Sequence, residues 1–352
     1  MLKKTLISKF SASQLVSAFL LMLALTSVDA MAGQRWKLHS AYGSNVPVVG
    51  SAAGDIALSI TEFSGGKLRV KAFEPRALVT GSNYYDAVSK GAITAAYGNS
   101  AYNVSKNSAY AFFAAVPFGP ASGEYLAWME YGGGKELAQE LYTRDNIKYL
   151  TCGIVPPETS GWFVKEINSV EDLKGLKMRF LGLGAKVMEK MGVSTQLLAG
   201  GDIYPALELG TLDAAEFSLP STDRALGFYQ IAKHNYFPGW HQQSTIQELL
   251  INLNQWNALD DVQQKLIETV CLAQTTKMMA QGEALQFAAM KANEKSGVTN
   301  HRWPDAILTN FKEAWLLVVK DEVAANPDAK KVWESYSTFR KNYELWLEYG
   351  YL

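Results

Sequence analysis

The sequence predicts an α/β protein of two lobes with long C-terminal helices. Three observations carry that reading. Strand-like and helix-like stretches alternate through the first half of the chain. One helix–glycine–strand unit occurs twice. Residues 260–349 then read as a succession of helices.

Arg35–Tyr42 alternates polar with apolar residues, as a strand does, and Gly43-Ser44-Asn45 breaks it. Ala52–Phe63 has helical spacing and closes at Ser64-Gly65-Gly66. Leu68–Phe73 alternates again. In the next unit, Asn83–Asn99, Tyr85, Ala87, Gly91 and Ala95-Ala96 lie against Tyr204, Ala206, Gly210 and Ala214-Ala215 without a gap. The match is either chance or the mark of two lobes built on one plan. On the second reading Tyr97 and Glu216 are counterparts facing a shared cleft. In the later copy, Asp202 is the expected N-cap, Pro205 falls in a first turn, and Gly210 takes the left-handed stop.

Between the copies, Glu124–Tyr142 reads as a helix broken at Gly132-Gly133-Gly134. Ile147–Ile154 and Gly175–Phe180 read as strands, and a helix starts at Ala185 after a glycine loop. Glu248–Leu253 is a strand returning to the first lobe. Helices follow over 260–294, 308–325 and 328–349; the last carries a Val332, Trp333, Tyr336, Phe339, Tyr343, Trp346 stripe that suits packing. The expected partition is residues 33–152 and 218–258 in lobe 1, and 153–217 and 259–352 in lobe 2.

Residues 1–32 read as a secretory signal peptide. Lys3, Lys4 and Lys9 are basic, Leu15–Leu25 is nearly all apolar, and Ala30-Met31-Ala32 fits a cleavage site. The apolar run is shorter than the roughly 20 residues of a spanning helix. The expectation is a soluble, exported, periplasmic chain beginning near Gly33. Its 352 residues carry a net charge of -1, with 48% hydrophobic and 19% charged. That balance points away from nucleic acid and from a polybasic membrane tail. Export permits Cys152 and Cys271 to pair, and two buried free thiols are the alternative.

Catalytic signatures are missing: there is no G-x-S-x-G, H-E-x-x-H or C-x-x-C. The four histidines, His39, His234, His241 and His301, are scattered, with only His241 expected near a cleft. Recognition chemistry remains. Arg179 ends a strand just before a helix N-terminus, where guanidinium and free N–H groups together receive a carboxylate. Glu216 ends a second strand. It either forms a simple salt bridge with Arg179 or holds a hard cation with the Phe217 carbonyl and the amide of Gln242 or Gln243.

The segments Gly161-Trp162-Phe163, Leu173–Arg179, Gly200–Gly210 and Pro238-Gly239-Trp240 together resemble the solute receptors of TRAP (tripartite ATP-independent periplasmic) transporters. The likeness is nearest to the metal-dependent branch that binds 2-oxo acids and other monocarboxylates. The resemblance implies a type II-like periplasmic binding fold whose hinge-linked lobes close on a ligand. It implies that Arg179 grips the substrate carboxylate and that Glu216, the Phe217 backbone and Gln242 hold Na+ or Ca2+. It also implies that a loop side chain, here Glu158, touches the ligand. The partners would be a small carboxylate and the small and large membrane subunits of a permease.

Three departures stand out. Phe217 replaces a usual tryptophan. Glu158 stands where glutamine is common and Gln242 where glutamate is common, an exchange of acid and amide. The chain stops at Leu352, where some relatives add a helix swapped between subunits, so a homodimer would need another route. Tyr97, Asn99 and Tyr102 are the expected first-lobe contributions. Rival readings are a sensory ligand receptor and a periplasmic lyase or hydrolase using Glu216 as base.

Overall fold

In the computed structural model, residues 33–80 and 83–352 are described; the expected signal peptide lies outside them. Two sheets form. The first has strand order β2-β1-β3-β10-β4, from β1 (Gln34–Ser40), β2 (Leu68–Phe73), β3 (Ala95–Gly98), β4 (Ile147–Val155) and β10 (Thr245–Asn252). The second has order β11-β9-β5-β8-β6-β7, from β5 (Gly161–Phe163), β6 (Lys177–Arg179), β7 (Ser194–Gln196), β8 (Ala214–Ala215), β9 (His234–Phe237) and β11 (Thr299–Arg302). Both sheets mix parallel and antiparallel pairs.

The predicted helix α1 (Ala52–Phe63) and strand β2 have the expected bounds. Ile56, Ala57 and Ile60 bury one face of α1, as an apolar stripe at helical spacing should. The two copies of the repeat fold alike. Helix α2 (Tyr84–Ser89) ends at Gly91 (φ +72°), and α6 (Gly200–Glu208) ends at Gly210 (φ +68°). Ala92 and Ile93 donate their N–H groups to the Ala87 carbonyl; Thr211 and Leu212 donate theirs to that of Ala206. Each unit then enters a strand, β3 in the first sheet and β8 in the second.

Helices α3 (Ser122–Tyr131) and α4 (Gly134–Thr143) meet at the glycine break, where Gly133 has φ +91°. Helix α5 (Gly182–Lys190) starts earlier than expected. Gly182 (φ +66°) opens it, and Gly184 packs so tightly that a Cβ would stand 2.5 Å from Phe180. Helix α6 also starts early, with Ala199 rather than Asp202 at its N-cap and Pro205 beyond its first turn. Asp202 sits in that first turn and pairs with Arg76 instead.

The partition differs from expectation in two places. Of residues 218–258, α7 (Pro220–Ala225) leads on to β9, which pairs with β5 and β11 in the second sheet. The chain returns to the first sheet only at β10, before α8 (Leu253–Asn257). The C-terminal helices do not all stay with lobe 2. Helix α9 (Asp261–Lys295), 35 residues and so about 50 Å long, packs on β4 and α1 and also on α7 and β11. It opens with a capping box between Asp260 and Gln263. Helix α10 (Asp305–Ala325) lies on α5, while α11 (Pro327–Gly350) crosses back to α3, α4 and the 3-10 turn Ser108–Phe113. The stripe on α11 packs through Val332 and Tyr336, whereas Trp346 is exposed. Among the described residues no helix is long and apolar enough to cross a membrane.

Cys152 on β4 and Cys271 on α9 form a disulfide, closing a 119-residue separation.

Candidate functional site

The chain crosses between the sheets at 156–160 and again at 238–244. These crossings are bonded together: Glu158 N–H donates to the Gln242 carbonyl at 3.2 Å, and Gly239 N–H to the Glu158 carbonyl at 3.1 Å. Gly239 must be small here, since a Cβ would meet the Glu158 carbonyl oxygen at 2.3 Å. Glu158 and Gln242 therefore sit on the two crossing segments, beside the ends of β6 and β8.

Arg179 is wholly buried at the end of β6. Its Nε donates to the Leu198 carbonyl at 3.1 Å, and Nη1 donates to the Glu216 carbonyl at 2.6 Å and to Glu216 Oε2 at 3.0 Å. Its Nη2 is buried with no partner. A stranded guanidinium donor in a dry site calls for an anion. The Phe217 ring lies under the guanidinium at 5.1 Å. The expected helix N-terminus is there, but Leu181 N–H is taken by Glu216 Oε2 at 3.2 Å. Glu216 thus does form the salt bridge with Arg179, and its other oxygen, Oε1, faces His241 Nε2 at 3.4 Å.

Glu158, Glu216 and His241, all buried, each offer a donor atom within 4.8 Å of the other two. The inward atom of the Gln242 amide lies 2.7 Å from Glu216 Oε1, 3.0 Å from Glu158 Oε2 and 3.0 Å from His241 Nε2. An NH2 group at that point has two hydrogens to give, one to Glu216 Oε1 and one to Glu158 Oε2. An oxygen at that point, among acceptors, needs a cation to hold the group together. Thr245 Oγ1 donates to Glu158 Oε1 at 2.9 Å. Burial, reinforced by the charge of Glu216, pushes the Glu158 carboxyl well above the carboxylate range. Burial would also raise Glu216, but Arg179, His241 and the Leu181 N–H outweigh it and hold Glu216 low. The donor set of two carboxylates, an amide and an imidazole fits a metal ion.

The first lobe closes over this cluster. A cavity of about 20 Å³ is lined by Tyr42, Asn99, Tyr102, Glu158, Phe217 and Gln242, among others. Tyr42 and Phe217 meet edge to face, with ring centroids 6.5 Å apart. Beyond them lies a mouth cavity of about 290 Å³ bounded by Arg76 and Asp202. Larger hollows of about 460 and 550 Å³ flank α9 on the outer surface. In the first of these Lys135 pairs with Glu130 and Lys265 with Glu268, while the Lys148 ammonium lies over the Trp256 ring.

The expected residues divide into those the fold brings together and one it does not. Arg179, Glu216, Phe217, Glu158 and Gln242 converge, and Tyr102 joins them, its hydroxyl near Arg179 and Glu216. Asn99 lines the cavity, but its amide is used within the fold: Nδ2 donates to the Ile246 carbonyl and Oδ1 caps Ala101 N–H. Tyr97 does not reach the cluster. Its hydroxyl turns toward Met278 Sδ on α9, 3.8 Å away, because alternate residues of a strand face opposite sides. The counterpart of Glu216 is thus equivalent in backbone only. His241 lies at the cleft as expected, whereas Tyr42 and Thr245 were not expected at the site. Tyr42 follows the first strand and reaches the second lobe only through the closed arrangement; its hydroxyl donates to Gln247 Oε1 at 2.7 Å.

Known proteins share this fold. Residues 39–326 match the family described as bacterial extracellular solute-binding protein, family 7. The chain is 32% identical to the monocarboxylate 2-oxoacid-binding periplasmic protein of Nostoc sp. over 312 residues, covering 89% of this chain and 85% of that one. A TRAP transporter solute-binding protein from Bordetella bronchiseptica, a mixed-occupancy dimer with calcium and picolinate in its active site, superposes with a TM-score of 0.88. It is 32% identical, and the match covers 90% of this chain and 94% of that one. A TRAP periplasmic solute-binding protein from Pseudoalteromonas atlantica, with sodium and pyruvate bound, gives a TM-score of 0.86 at 29% identity, covering 90% and 97%. The chain belongs to the family 7 bacterial extracellular solute-binding proteins, the solute receptors of TRAP transporters.

Proposed function

We propose that this protein captures a small monocarboxylate of the 2-oxo acid class together with Na+ or Ca2+ and delivers it to a TRAP permease. The observation that carries the reading is the buried, unpartnered Nη2 of Arg179 beside a cluster of cation-binding donors. The guanidinium supplies a fork for the substrate carboxylate. Glu216, Glu158 and Gln242 would hold the cation, with the Phe217 carbonyl as a further oxygen. The cation would neutralise charge between these acids and the substrate.

The two hinge crossings carry Glu158 and Gln242, while Arg179 and Glu216 belong to the second sheet. Tyr42, Asn99 and Tyr102 come from the first. A ligand touching all three groups binds the closed form better than the open one, which is the condition for ligand-driven closure. The closed receptor is then what a permease recognises. The N-terminal 32 residues serve as the export signal on this reading, and the bound acid is released unchanged.

Calorimetry on chelated protein in potassium buffer tests this. Pyruvate and longer 2-oxo acids are titrated with and without Na+ and Ca2+. The expected result is tight binding only with cation present. Equal affinity with and without cation removes the metal from the reading, and no binding of any monocarboxylate removes the substrate class.

A further inference from the structure

One face of the first sheet carries a block of positive charge without counter-charges. Arg35 and Lys37 on β1 and Arg69 and Lys71 on β2 are exposed, and the parallel register sets Arg35 beside Arg69 and Lys37 beside Lys71. Lys67, also exposed, falls on the same face by the two-residue alternation of a strand. The intervening Trp36, Leu38 and Leu68 are buried on the other face, where α1 packs on β2. Among the described residues, the ion pairs of lysine and arginine all use other cations. The Lys71 ammonium lies over the Phe73 ring, 5.0 Å from its centroid.

Like charges side by side on neighbouring strands oppose sheet formation. Lysine on an edge strand guards against pairing with another sheet. That accounts for β2, the edge, but not for Arg35 and Lys37, because β1 lies inside, between β2 and β3. The whole chain has a net charge of -1, so the block is a local concentration and not a share of general basicity. On the export reading, cleavage before Gly33 adds an α-amino group, largely protonated at neutral pH. Gly33 adjoins the block: a Cβ there would meet the Gly66 carbonyl oxygen at 2.5 Å and that of Lys67 at 2.8 Å.

Such a face fits an anionic partner. Strands about 4.8 Å apart, with a repeat of roughly 6.6 Å along each, spread the cations over one open face. None of the five lines a cavity described above. An open array suits a broad anionic surface better than a peptide or a small anion. Export signals are removed at a membrane, and the expected cleavage point adjoins this face.

We propose that Lys67, Arg69, Lys71, Arg35 and Lys37 rest on anionic phospholipid headgroups at a bilayer surface. Strand β2 runs from these cations toward Pro75 and Arg76 at the cleft mouth. The contact holds the first lobe at the membrane, where a permease lies, and leaves the second lobe free to close. The inference does not depend on which ligand the cleft takes.

The test is co-sedimentation of the mature protein with vesicles of phosphatidylcholine alone or with about one-third phosphatidylglycerol. Binding is expected only to the anionic vesicles, and it should be lost in 0.5 M KCl. Each cation near an anionic surface contributes about fivefold, so Lys37→Gln with Lys71→Gln should lower the partition coefficient about 25-fold. Lys312→Gln with Lys320→Gln removes the same charge from exposed positions on α10 and should change it less than about twofold. Melts followed by circular dichroism check folding; relief of repulsion should leave the midpoint of the Lys37, Lys71 variant no lower than that of the wild type. If that variant does not fold, the response of the wild type to lipid charge and salt decides. Equal binding to both vesicles, or an equal loss in the α10 variant, overturns the proposal. Absence of vesicle binding also overturns it and leaves an acidic protein surface as the occupant.

Discussion

Arg179 Nη1 lies 3.0 Å from Glu216 Oε2 and 2.6 Å from the Glu216 carbonyl oxygen, so one nitrogen holds both the side chain and the backbone of its partner. The guanidinium ties the ends of β6 and β8 together while its Nη2 stays free for a ligand. Removing it strands Glu216 and deletes the carboxylate receptor. Arg179→Ala should weaken monocarboxylate binding by about 2–4 kcal/mol, the scale for stranding a buried charged partner. Arg179→Lys should fall between the two, because it keeps charge but loses the fork. Calorimetry showing wild-type affinity in Arg179→Ala would sink the assignment.

Arg76 and Asp202 span the cleft mouth, with Nη2 2.6 and 2.7 Å from the two carboxylate oxygens. The pair is exposed, so it is weak, roughly 0.2–1 kcal/mol. It joins one lobe to the other, so that energy bears on closure. Arg76→Ala should raise the ligand Kd about 1.5–5-fold at low ionic strength. The difference should vanish in 0.5 M KCl. A salt-independent change, or none at all, would argue against a closing role.

Glu248 is buried in the first sheet, accepting hydrogen bonds from Tyr142 and from Asn103. Burial pushes its carboxyl up to about 8, against the pull of the Tyr142 hydroxyl. Its folded value is raised above its unfolded one. Its contribution to stability is therefore full at pH 4 and is lost as pH rises toward 8. Wild-type stability should fall relative to Glu248→Gln by about 1.4 kcal/mol per pH unit between pH 5 and 8. Urea melts at four pH values measure this, and parallel curves for the two proteins would refute it.

The Cys152–Cys271 disulfide joins β4 to the helix that runs past both sheets. A cross-link closing so long a loop restricts the unfolded chain. Replacing both cysteines with serine should lower unfolding free energy by about 2–4 kcal/mol. Denaturant melts would show this as a lower midpoint. An unchanged midpoint would mean that the bridge adds nothing to stability.

Much of the fold was legible because local signals agreed with the tertiary result. Gly91 and Gly210 ended equivalent helices where only glycine is comfortable at positive φ. Ala52–Phe63 and Leu68–Phe73 had periods that left no ambiguity. The helix starts at Gly182 and Gly200 were not legible, because glycine is a poor helix former and here opens a first turn. Pairing was also hidden: nothing local in His234–Phe237 says which sheet takes it. At the site, Arg179 and Glu216 could be found because a charge at the end of an apolar strand needs a partner. Tyr42 and Thr245 carry no such mark. Tyr97 misled, since a backbone repeat does not fix which way a side chain faces.

The sequence alone determined the alternating α/β pattern, the doubled helix–glycine–strand unit, and the charged residues that a dry cleft cannot leave unpaired. Those properties are local, set by periodicity, backbone preference and desolvation. Only the tertiary structure decided that Glu158 and Gln242 lie side by side on the two crossing segments, that Cys152 meets Cys271, and that His241 turns toward Glu216. Each of those depends on distant segments brought together by strand pairing and helix packing, which no stretch of sequence encodes by itself.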